Sequence, residues 1–247
     1  MNDLTRDVFL GGALAIRQPR DGYRAATDPV LLAAAVTARP GQSVLELGCG
    51  VGVAALALAR RVPGLDLWAI ERQAPYAELA RLNAQENGLQ LHVEIGDLAK
   101  MPVALRRTFD HVMANPPYYL PASPAARDPG RDAALREETP LEDWIDAALR
   151  RLRQGGHLTL IHLADRLPRI LTALEGRAGA IAVRPISARV GREAGRVLVC
   201  ARKGARGPFR LLSPLVMHHG DSHRHDGNDF STAAQALLRD GLSMGWE

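Results

Sequence analysis

A chain of 247 residues, 47% of them hydrophobic, can bury one substantial core, and a single domain is the expectation. The early apolar run from Val8 to Ile16 is too short for a bilayer and follows Asp3 and Asp7 rather than a basic stretch, which argues against a leader or anchor there and for a cytoplasmic protein. Cys49 and Cys200 make neither a CxxC pair nor a disulfide framework, and a net charge of +4, carried by 29 arginines beside Lys100 and Lys203, leans weakly toward an acidic partner such as nucleic acid.

In chain order, Leu14 to Gln18 and Tyr23 to Ala26 read as two short strands around a Pro19-Arg20-Asp21-Gly22 turn. Asp28 reads as the N-cap of an apolar helix that has Pro29 at its first position and runs through Ala38. Ser43 to Leu47 is a buried strand ending in Gly48, Gly50 and Gly52, and a helix follows from Val53 to Arg61. The alternation repeats with a strand at Asp66 to Glu71, a helix at Pro75 to Asn87, a strand at Leu91 to Ile95 and a strand at Phe109 to Ala114. That last strand runs into Asn115-Pro116-Pro117-Tyr118-Tyr119, where two prolines stop any ladder. Leu120 to Glu138 reads as a loop, closed by a capping box of Thr139, Pro140 and Glu142 that opens a helix through Leu152. A strand at His157 to His162, a helix at Pro168 to Glu175 and a hairpin of Ile181 to Ser187 with Arg196 to Ala201 complete the pattern, while the tail resists assignment. Strands alternating with helices point to an α/β fold, a doubly wound and mostly parallel sheet.

Closely spaced glycines between a strand and a helix put bare main chain beside a nucleotide-like ligand. The spacing here is GxGxG; the third glycine of the dinucleotide fingerprint would fall on Val53, which disfavours nicotinamide and flavin. Glu46 precedes the loop, where it can balance an ammonium or sulfonium charge. Glu71 ends the second strand about 20 residues on, the offset at which a carboxylate reaches a ribose. Asp97, beside Leu98, ends the third strand, where it can accept from an adenine amine, and Cys49 lies within the loop itself.

Asn115 to Tyr118 follow the strand expected beside the first. An exocyclic amine on an adenine is a poor nucleophile, because its lone pair is delocalised into the ring. Two acceptors aimed at its N–H bonds, the Asn115 side-chain oxygen and the Pro116 carbonyl, would draw the nitrogen toward tetrahedral geometry. Pro117 holds its predecessor extended, so that carbonyl is set in advance. Tyr118 offers a face on which a flipped base can stack, worth roughly 1 to 3 kcal/mol. No histidine or cysteine constellation is expected nearby. His218, His219, His223 and His225 have no metal-site spacing and read as a solvated loop, so no metal is expected.

With ELGCGVG at Glu46 to Gly52, Glu71, Asp97 and NPPYY at Asn115 to Tyr119, the chain resembles class I methyltransferases that methylate nitrogen and use S-adenosylmethionine. More narrowly, it is similar to bacterial adenine-N6 methyltransferases of valine tRNA, a likeness that includes Gln18, Gly22, Tyr23, Asp28, Leu31 and Leu32. The resemblance implies a Rossmann-like seven-stranded sheet with its last strand antiparallel, a single methyltransferase domain over 1–247, and an N-terminal extension of about 40 residues lining the cofactor and substrate entrance. It adds Tyr23 and Asp28 to the cofactor residues and implies tRNA near the anticodon as substrate, with a monomer favoured. Arg17, Arg20, Arg24, Arg127, Arg131 and Arg136 are then candidate phosphate contacts, or solvated arginines. Protein glutamine N5-methyltransferases carry the same NPPY and are the leading alternative; they have an extra helical domain, for which about 40 residues before the first sheet strand are too few. A non-catalytic S-adenosylmethionine- or RNA-binding module is the third reading.

Overall fold

The computed structural model describes residues 3–21, 24–118, 139–220 and 229–247. Tyr23, Tyr119, the loop 120–138 with Arg127, Arg131 and Arg136, and His223 and His225 lie outside the described residues.

The chain opens with an antiparallel hairpin, β1 (Leu4–Phe9) against β2 (Leu14–Pro19), in which Phe9 pairs Leu14 and Leu4 pairs Pro19. This corrects the expected pairing of Leu14 to Gln18 with Tyr23 to Ala26. The turn sits upstream, where Gly11 and Gly12 take positive φ of 63° and 103° that other residues adopt at a cost. The apolar run from Val8 to Ile16 is therefore two strands and a turn. Residues 24–26 carry no strand; the buried Gln18 side chain holds them instead, its Oε1 accepting from Ala25 N at 2.7 Å and its Nε2 donating to Ala25 O at 3.3 Å.

Helix α1 (Thr27–Ala35) starts two residues earlier and ends three earlier than its composition suggested. Asp28 is inside the first turn and caps nothing; its carboxylate turns to tertiary partners. Pro29 is tolerated there because first-turn N–H groups have no helical acceptor.

The central sheet contains β3 (Ser43–Leu47), β4 (Asp66–Glu71), β5 (His92–Ile95), β6 (Phe109–Ala114), β7 (Leu152–Leu163), β8 (Ala178–Ser187) and β9 (Ala194–Lys203). Two short strands, β10 (Arg210–Leu211) and β11 (Leu215–Val216), both pair in parallel with β8. The order is β10-β8-β9-β7-β6-β3-β4-β5 with β11 also on β8, and β9 alone runs against its neighbours β7 and β8. The seven long strands thus have the expected topology with the last one antiparallel. β10 and β11 are additions that two-residue pairings gave no periodicity to announce.

Alternation along the strands sends side chains to opposite faces, as a pleated sheet covered on both sides requires. Val44, Met113 and Ile161 join the core under α1, α2 (Val53–Arg61) and α3 (Ala74–Glu86). Leu45, Leu47, Val112, Leu158 and Leu160 join the core under α4 (Leu141–Arg151) and α5 (Leu167–Leu174). Each fully buried leucine or isoleucine contributes roughly 1.5 to 3 kcal/mol. At the start of α4 the cap position is Pro140 without a side-chain bond, and Glu142 pairs with Arg169 at 2.7 Å, so the expected capping box is not formed. The tail adds α6 (Thr232–Leu238), capped by the Ser231 hydroxyl on Ala234 N, and then ties back to α1 through Met244 N on Ala34 O and Trp246 Nε1 on Ala35 O. Among the described residues no helix is long and apolar enough to cross a membrane.

Candidate active site

Strand order reverses between β3 and β6, so the connections leaving their carboxyl ends diverge and open a crevice. The parallel register pairs Leu47 with Ala114. Gly48 and Asn115 are the next residues on adjacent strands, which lie about 4.8 Å apart. Both line one cleft of about 1100 Å3 including its open mouth.

The glycine loop is built for contact. Gly48 N and Cys49 N both donate to Ile70 O, at 2.8 and 3.1 Å, folding the loop over the end of β4. Gly48, Gly50 and Gly52 have φ of 66°, 54° and 89°, in the left-handed region. A Cβ on Gly48 would stand 2.5 Å from the Trp144 ring of α4, and one on Gly52 3.2 Å from the Ala80 Cβ of α3. Trp144 is thus the floor of the loop, a role with no local sign because 96 residues separate it from Gly48.

Glu71, buried at the end of β4, accepts from Gly50 N at 2.9 Å and Gln73 N at 2.8 Å, one bond per oxygen. Each carboxylate oxygen keeps a second lone pair for a ribose hydroxyl. Asp97 accepts from Ala99 N at 2.8 Å and lines the cleft with Leu98. Glu46, 3% exposed, accepts from Ala55 N at 2.9 Å. Burial pushes its carboxyl up to about 8 against the opposing Ala55 N–H, with the charge of Glu71 adding to the rise. Ala25, Pro29, Gln73 and Tyr76 also line the cleft and were not singled out by pattern. The bare main chain, the facing carboxylate and the buried acid fit an adenosyl group bearing a cationic amino-acid end.

Asn115, Pro116, Pro117 and Tyr118 line the same cleft. Tyr118, expected to offer a stacking face, also has polar partners. Its hydroxyl lies 2.5 Å from Asn115 Oδ1 and 2.8 Å from Asp28 Oδ2, and the Arg196 guanidinium sits over its ring at 4.8 Å. Arg196 Nε in turn donates to Asp28 Oδ2 at 3.0 Å. Asp28, expected at the cofactor, is absent from the cleft lining and belongs to this cluster. One histidine lies close by: His162, at the end of β7, is 1% exposed and meets the Tyr118 ring edge-on at 5.2 Å. Burial first, then Arg166, lowers it to about 4, and its Nδ1 accepts from Leu163 N, so it stands as a neutral packing partner.

The three described arginines proposed for phosphate each hold an acid: Arg17 with Glu86 at 2.8 Å, Arg20 with Asp3 at 2.5 Å and Arg24 with Asp7 at 2.5 Å. His218 is not in a solvated loop; it pairs with Asp229 at 2.7 Å and stacks on Phe230. No group of three or more metal-ligating side chains occurs among the described residues.

Seven strands in this order, with a glycine loop and its acids at the carboxyl edge and NPPY beside them, define a class I methyltransferase that uses S-adenosylmethionine. Residues 26–177 match the family model described as Methyltransferase small domain, and the chain belongs to that family. Curated relatives include a tRNA1(Val) (adenine(37)-N6)-methyltransferase of Porphyromonas gingivalis, 35% identical over 171 residues that cover 65% of this chain and 67% of the relative. Another is a release factor glutamine methyltransferase of Gloeobacter violaceus, 34% identical over 57% of this chain and 53% of the relative. Among solved structures, a predicted O-methyltransferase from Agrobacterium tumefaciens superposes with a TM-score of 0.71 at 28% identity, over 88% of this chain and 98% of that one.

Proposed function

We propose that the protein methylates the N6 amine of an adenine in tRNA, beside the anticodon, at the expense of S-adenosylmethionine. The carrying observation is the adjacency of Asn115 to the Gly48–Gly52 loop across neighbouring parallel strands. The cofactor supplies an electrophilic methyl on a sulfonium. Glu71 holds the ribose and Glu46 the cationic end. Asn115 Oδ1 and the Pro116 carbonyl accept the two N–H bonds of the amine and localise its lone pair, and the methylated ammonium then releases its proton to water without a protein base. His162, neutral and buried under Tyr118, keeps that ring in place.

The adenine reading is supported by the P. gingivalis relative, which acts on tRNA adenine by its name. The glutamine reading is supported by the G. violaceus relative, because a side-chain amide poses the same lone-pair problem. The chain is read as one domain whose first 40 or so residues line the entrance, with Ala25 and Pro29 in the cleft wall in support. A tRNA substrate would put the enzyme in the cytoplasm. Incubation with isotopically labelled cofactor and unmodified total tRNA tests the proposal: N6-methyladenosine is the expected product. Methylated glutamine in a protein fraction, with unlabelled tRNA, would select the second reading.

A further inference from the structure

We propose that Asp28 and Arg196 are positioning residues that free the catalytic acceptor of Asn115 by giving the Tyr118 hydroxyl a second place to donate. This rests on the reading of Asn115 as the acceptor for the substrate amine.

The conflict is visible in the geometry. Asn115 Oδ1, which the amine must reach, already faces the Tyr118 hydroxyl at 2.5 Å. A phenol has one proton, and Asp28 Oδ2 stands 2.8 Å from the same oxygen on α1. A hydrogen bond to an ionised carboxylate is roughly twice as strong as one to a neutral acceptor, so rotation of one hydroxyl moves the bond from Asn115 to Asp28 without displacing the ring. Arg196 fixes the receiving carboxylate at 3.0 Å and covers the ring at 4.8 Å, while His162 meets the ring's edge. Asp28 and Arg196 are 168 positions apart, and neither lines the cofactor cleft. With Asp28 in place the hydroxyl can donate to its carboxylate and leave Asn115 Oδ1 to the incoming amine. Without Asp28, hydroxyl and amine compete for one amide oxygen.

The test is a double-mutant cycle of Asp28→Ala and Tyr118→Phe, with cofactor affinity measured calorimetrically on every variant. Asp28→Ala should lower kcat/KM by roughly tenfold at unchanged cofactor affinity, the size expected when one hydrogen bond has to be displaced. Tyr118→Phe sets its own baseline, because it removes both the hydroxyl and its polarity. In that background Asp28→Ala should cost nothing further, and the double variant should outrun Asp28→Ala alone. A double variant as slow as Asp28→Ala, or slower, overturns the proposal, since a merely structural Asp28 is not rescued by deleting a hydroxyl. A readout that does not need turnover is the Asn115 carboxamide proton pair in nitrogen-resolved NMR spectra, identified by its loss in Asn115→Ala. Asp28→Ala should shift this pair in the otherwise native protein and leave it unmoved in the Tyr118→Phe background. Equal shifts in both backgrounds overturn the proposal. A wild-type protein that shows the NMR cycle but methylates neither RNA nor protein would sink the proposed function and leave this inference standing.

Discussion

In the proposed mechanism the Asn115 amide oxygen accepts one N–H of the substrate amine in the cleft that it lines. Asn115→Ala should therefore lower kcat by roughly 10² to 10³ with cofactor affinity intact, as loss of one positioned transition-state hydrogen bond does. Steady-state kinetics beside calorimetry check it, and an unchanged kcat would falsify the assigned role. Glu46 gives a pH dependence of definite sign. Its carboxyl, raised to about 8, is protonated at neutral pH in the free protein, whereas a cationic ligand beside it favours the carboxylate. Binding then releases a proton, so cofactor affinity rises as pH climbs toward 8 and levels off above it. In Glu46→Gln the slope should vanish, which calorimetry in buffers of different ionisation enthalpy reads directly.

At the scale of elements, the N-terminal hairpin is fastened to the methyltransferase core by two asparagines four residues apart, Asn83 on α3 and Asn87 at its C-cap. Asn83 accepts from Arg17 N at 2.8 Å and donates to Arg17 O and Val51 O; Asn87 accepts from Ala15 N at 3.0 Å and donates to Ala15 O. These amides present to β2 the donor and acceptor pattern of a neighbouring strand, and Asn83 extends it to the glycine loop. Asn83→Leu strands three backbone groups, Val51 O buried and Arg17 N and O partly so, and should cost about 2 to 4 kcal/mol. Amide hydrogen exchange over 14–19 should quicken in that variant, and protection there as strong as wild type would contradict the clasp. Such a clasp was not legible: Asn83 and Asn87 read as ordinary helix residues before Gly88. Most of the fold was legible, because Ser43–Leu47, Val53–Arg61, Asp66–Glu71 and Phe109–Ala114 are rich in apolar residues and have a glycine or proline within two residues of an end. Local pattern failed where a distant partner decided the outcome. Asp28 has the side chain of a cap yet pairs with Arg196, Trp144 reaches a glycine 96 positions away, and the partner of β2 was hidden in a run broken only by Gly11 and Gly12.

For the molecule as a whole, buried neutral histidines set the response to acid. His111 and His162 are both lowered to about 4, first by burial, against 6.5 when unfolded. Between pH 6.5 and 4.5 the unfolded chain takes up protons that the native one refuses, so the stability present above pH 6.5 drains away by roughly 2 to 3 kcal/mol per histidine. Glu46 acts in the opposite sense over the same interval, since its native form is already protonated, and returns about as much as one histidine removes. Two against one leaves a net loss of roughly 2 to 3 kcal/mol, and Glu46→Gln should about double it. Urea denaturation at the two pH values decides this; a protein equally stable at both would rule out neutral buried histidines.

Trp144 packs its ring against Gly48 and borders the cleft, whereas Trp68 stacks on His92 and Trp246 is bonded to Ala35 O, and neither lines it. The protein therefore carries a built-in optical reporter: intrinsic emission should change on cofactor binding through one indole alone. A titration followed in this way would persist in Trp68→Phe and Trp246→Phe and disappear in Trp144→Phe, making occupancy of the site measurable before any acceptor is known.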